Sequence, residues 1–62
     1  MTPFIYAIHY LHTINVDGLL FTDSDVHNAI GTTTDKESIE RLIREMYTSY
    51  PREYKRLDLN AT

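Results

Sequence analysis

From Pro3 to Thr13 (PFIYAIHYLHT) the chain is almost unbroken in aromatic and aliphatic side chains, and a proline stands where a strand can begin. This run predicts a first strand. Asp17-Gly18 follows and supplies the positive φ of a tight hairpin turn, after which Leu19 to Thr22 reads as a second strand. With a two-residue loop, Val16 pairs with Leu19, Ile14 with Phe21 and His12 with Asp23; a longer loop shifts that register. Thr22 to Gly31 admits two readings. Val26, Ala29 and Ile30 have helical spacing, with Thr22 or Asp23 as a cap and Gly31 as the end, whereas alternation through Val26, Asn28 and Ile30 continues a strand. A loop or short turn of helix is the preferred reading, followed by a linker at Thr32-Thr33-Thr34.

The period then changes. Thr34 and Glu37 have the spacing of a capping box, and Ile39, Leu42, Ile43, Met46, Tyr47 and Tyr50 recur as one helical stripe. Lys36, Glu37, Glu40, Arg41, Arg44 and Glu45 form the opposite face, where Glu37 with Arg41 and Glu40 with Arg44 are favourable pairs of about 0.2–0.5 kcal/mol each. Pro51 ends the helix, because the residue before a proline avoids α geometry. A last alternation from Tyr54 to Leu59 predicts a third strand. The expected fold class is α+β, a ββαβ chain: a three-stranded antiparallel sheet with one amphipathic helix packed on one face.

The first run has one anomaly. Its even positions are Phe4, Tyr6, Ile8, Tyr10 and His12, its odd positions Ile5, Ala7, His9, Leu11 and Thr13, so a strand there is apolar on both faces. A single helix covers only one of them. Ala7 suits the covered face, which leaves Phe4, Tyr6 and Tyr10 as an exposed patch of a kind enriched at interfaces. Alternatively, the segment from Asp23 to Ile30 folds back over those rings and makes them core.

Length sharpens this concern. Sixty-two residues form a single domain, 1–62, with 42% hydrophobic residues to offset the entropy of ordering the chain. Cysteine is absent, which removes disulfides and thiolate zinc sites, so a partner or a second copy (a homodimer) is the expected supplement. No stretch is long enough to span a membrane, and MTPFIYAIHYLHT lacks a basic leader, so a cytoplasmic location is expected. The net charge of −3 is unevenly placed: residues 1–31 have no Lys or Arg, only Asp17, Asp23 and Asp25.

Candidate chemistry is sparse. His9, His12 and His27 with Asp23 and Asp25 are metal-ligand types, but on a strand His9 and His12 point to opposite faces, so no metal is expected. Asp23 and Asp25 suit a turn or helix cap better than acid–base work. No nucleophile motif or phosphate loop occurs, and the chain is expected to be non-enzymatic and free of cofactors. Arg52, Lys55 and Arg56 beside Tyr50 and Tyr54 suggest a single-stranded nucleic-acid platform, interrupted by Glu53 and Asp58.

YAIHYLHT, the turn glycine Gly18 and TDKESIERLI together resemble the small strand–turn–strand–helix–strand accessory proteins that bacteriophages encode. That resemblance implies an accessory or inhibitor protein that binds a host or phage macromolecule, and carries over no site residues. The expected function is a protein-interaction module using Phe4, Tyr6, Tyr10, Asp23 and Asp25. The alternative is a small regulator that contacts nucleic acid through Arg52, Lys55 and Arg56 and therefore weakens steeply with salt.

Overall fold

Thr2 is extended, its hydroxyl accepts the Ile5 N–H at 3.1 Å, and Pro3 follows at the first helical position, where its missing N–H costs nothing. Pro3–Ile14 is accordingly an α-helix, α1, in the computed structural model, which describes residues 2–50. This corrects the expected first strand. The exposed side chains Ile5, His9, His12 and Thr13 recur at helical spacing, and Ala7 and Leu11 lie buried one turn apart on the other side. Phe4, Tyr6, Ile8, Tyr10 and Ile14 flank them, half-buried. What looks like two apolar faces at a period of 2 is one broad stripe at a period of 3.6.

Asn15 closes α1, its N–H donating to the Leu11 carbonyl at 2.9 Å. Its side chain then holds the loop: Nδ2 donates to the Leu19 carbonyl at 2.8 Å and Oδ1 accepts the Leu19 N–H at 2.9 Å. Gly18 has a φ of +70°, so the positive-φ turn read from Asp17-Gly18 is present, but it joins two helices. Leu19 to Thr22 is not a strand, and the register from Val16–Leu19 to His12–Asp23 does not exist.

The ambiguous segment is helical. α2 spans Asp23–Ile30 with a reciprocal capping box: the Thr22 hydroxyl accepts the Asp25 N–H at 3.1 Å, and the Asp25 carboxylate accepts the Thr22 N–H at 2.9 Å. Gly31 ends it at a φ of +55° and donates to the His27 carbonyl. α3 spans Lys36–Ser49, one residue later than Thr34 would cap it. Asp35 is the N-cap, accepting the Ser38 N–H at 3.0 Å. Tyr50, before Pro51, is extended and terminates it as expected.

Among the described residues the fold is therefore three helices and no strand, so the α+β class and the ββαβ sheet are corrected to an all-helical bundle. The predicted strand from Tyr54 to Leu59 lies outside the described residues. Six side chains make the helical core cluster, Ala7 and Leu11 from α1, Val26 and Ile30 from α2, and Ile39 and Ile43 from α3, and Leu19 of the α1–α2 loop is buried as well. Each helix packs on both others. Tyr6 near the start of α1 donates to Glu40 of α3, and Asp17 just beyond α1 accepts from Tyr47 near the end of α3, so these two helices run parallel. α2 returns antiparallel to both, placing His27 against Phe4 and the preceding Phe21 against Tyr50.

Candidate functional site

The bundle separates the residues expected to share one face. On a helix Phe4 lies far around from Tyr6, and the two rings meet different neighbours. Phe4 stacks flat on His27 of α2, with centroids 4.0 Å apart and an interplanar angle of 4°. Tyr6 turns to α3, where its hydroxyl donates to Glu40 and the Lys36 ammonium sits 5.4 Å from its ring centroid. That hydrogen bond, with smaller contributions from desolvation and from the Glu40 charge, holds the Tyr6 phenol above its ordinary pKa. Tyr10 is half-buried against the core. Of the three rings only Phe4 is met by the segment from Asp23 to Ile30, as the alternative reading has it, while Tyr6 engages α3 and Tyr10 packs half-buried on the core.

Asp25 is the half-buried cap acceptor of α2, and Asp23 is exposed in the same first turn, where both carboxylates complement the helix dipole. Glu40, paired with Arg44 in the sequence reading, accepts from Tyr6 across the bundle. His9 and His12 share the exposed side of α1, contrary to the opposite faces a strand would impose, and His27 is engaged with Phe4. Among the described residues no three His, Asp or Glu side chains gather where they could hold a metal ion. Arg52, Lys55 and Arg56 lie outside the described residues.

A different feature emerges between α2 and α3. An open groove of about 470 Å³ has a floor of Phe21, Ala29, Leu42, Met46 and Tyr50, all half-buried. Phe21 and Tyr50 meet at one end with ring centroids 4.6 Å apart. Its polar edges are Asp25 and Asn28 on the α2 side and Glu45 and Ser49 on the α3 side. Among the described residues that line it there is no Lys or Arg. The sequence does carry a signal for this surface. The α3 stripe is wider than the core needs: Ile39 and Ile43 fill the interior, while Leu42, Met46 and Tyr50 remain at its margin. A second apolar feature lies on the α1–α2 loop, where Val16 is 87% and Leu20 78% exposed.

No helix among the described residues is long and apolar enough to cross a membrane. No family model, curated protein or solved structure matches this chain.

Proposed function

We propose that the chain is a non-enzymatic protein-binding module that docks a partner along the groove between α2 and α3. The groove itself carries this reading: five half-buried apolar side chains line an open cleft between rigid helices, edged by polar groups that can orient a partner. Ala29, Leu42 and Met46 are held on helices, and Phe21 and Tyr50 flank them ring against ring, which limits the ordering entropy that opposes docking.

The reading is tested by placing a photo-crosslinking side chain at Asn28, an exposed groove position, and at His9 on the exposed side of α1. A discrete partner adduct formed from Asn28 but not from His9 supports the reading. Adducts formed equally from both positions, or from neither, overturn it.

A further inference from the structure

We infer that the partner segment seated in this groove is an amphipathic helix with an apolar edge and Lys or Arg on its flanks. This rests on the groove being the docking site and adds the chemistry of its occupant.

The walls offer an extended peptide no sheet edge to pair with. A strand binds by adding to a sheet edge, where free N–H and C=O groups pair with its backbone. The walls here are two helices whose backbone groups are used within each helix, so an extended segment would find only side chains. A helix satisfies its own backbone and presents side chains alone, which matches a floor made of side chains. From Leu42 to Ser49 the α3 wall runs about 10 Å, roughly two turns of helix, which matches an occupant's residues at i, i+3, i+4 and i+7.

Charge selects the kind of helix. Asp25 stands on one wall and Glu45 on the other, and Asp23 adds a further carboxylate in the first turn of α2. Residues 1–31, which supply the α2 wall, contain no Lys or Arg. On α3, Arg41 lies one turn before Glu45 and reaches the Ser38 hydroxyl at 3.4 Å; it does not line the groove. Two acidic edges favour cations on both flanks of the occupant and disfavour nucleic acid or an anionic lipid surface. They also disfavour a second copy in two-fold contact through this groove, which would set Asp25 and Glu45 against their own counterparts.

The test uses the full chain and two synthetic peptides of about three helical turns (~11 residues). Both carry the same leucine stripe, one flanked by Lys and the other by Glu, and binding is read by fluorescence anisotropy. The Lys-flanked peptide is expected to bind roughly tenfold more tightly, by a margin that shrinks as salt rises. Glu45→Lys is expected to remove that preference; the Glu45 side chain is exposed, so circular dichroism should show unchanged helicity. Equal binding, preference for the Glu-flanked peptide, or a preference unaffected by Glu45→Lys in a folded variant would overturn the inference. If neither peptide binds while Asn28 still crosslinks a partner, the chemistry of the occupant is wrong and the docking reading stands. If the Asn28 adduct is also missing, both are wrong.

Discussion

Tyr6, expected from the sequence at a partner-binding patch, makes a contact inside the molecule that matters to stability. Its hydroxyl bridges α1 to Glu40 of α3, and that bond stabilises the neutral phenol, so its pKa in the folded chain lies above the ordinary 10.0. A raised folded pKa means that the contribution to stability is complete below the unfolded value and is lost as pH rises through the folded one. Urea midpoints measured from about pH 9 to about pH 12 should therefore fall on the alkaline side. Tyr6→Phe should flatten that fall by removing the only proton involved in the Tyr6–Glu40 bond. A wild-type and variant profile of the same slope would show that the bond does not form in solution. Asn15 acts locally: one amide side chain makes two hydrogen bonds to Leu19 and so shapes the connection that the sequence suggests is a hairpin.

At the level of the helices, capping explains where each begins. Thr22 and Asp25 satisfy one another's backbone N–H groups, so Thr22→Ala should cost about 1 kcal/mol in urea denaturation. The start of α3 offers a sharper comparison. Thr34-x-x-Glu37 matches the sequence pattern of a capping box, but the structure places Asp35 at the cap with its carboxylate on Ser38. Asp35→Ala should lower the denaturation midpoint while Thr34→Ala leaves it nearly unchanged; the reverse order would put the helix start one residue earlier. The hydrogen bonds from Ser38 hold the Asp35 carboxyl below its usual pKa. Its contribution is thus present at neutral pH and lost only as pH falls through that lowered value.

For the whole molecule, the scarcity of core is the governing quantity. A domain of this size has a total stability of roughly 3–9 kcal/mol, and six buried side chains from three helices supply its centre. Ile43 is fully buried, so Ile43→Ala should cost about 2–5 kcal/mol and leave the chain partly unfolded at ambient temperature by circular dichroism. Val16→Ser, at an exposed loop position, should change the midpoint by less than about 0.5 kcal/mol. Packing each helix against both others spends most of the large residues on the interior. Among the described residues the apolar surplus left over lies in the α2–α3 groove, on the α1–α2 loop and at Ile5 of α1.

The chain on its own determines α3 and the groove's α3 wall, because a stripe at a period of 3.6 with charges opposite reads one way only. It also determines that residues 16–19 turn and that residues 1–31 contain no Lys or Arg. α1 was not legible to the same degree. Its aromatic and branched residues favour strands by local preference, and an apolar run fits either period until neighbours are known. Thr2-Pro3 and the spacing of His9, His12 and Thr13 did point to a helix, but their weight depends on what covers the remaining side chains. Packing made that choice: in a helix one broad stripe meets two neighbours at once, whereas a strand would have left an entire face in water. The same packing placed Phe4 against α2 and Tyr6 against α3 and left the groove open, since contacts between distant segments are invisible to local spacing.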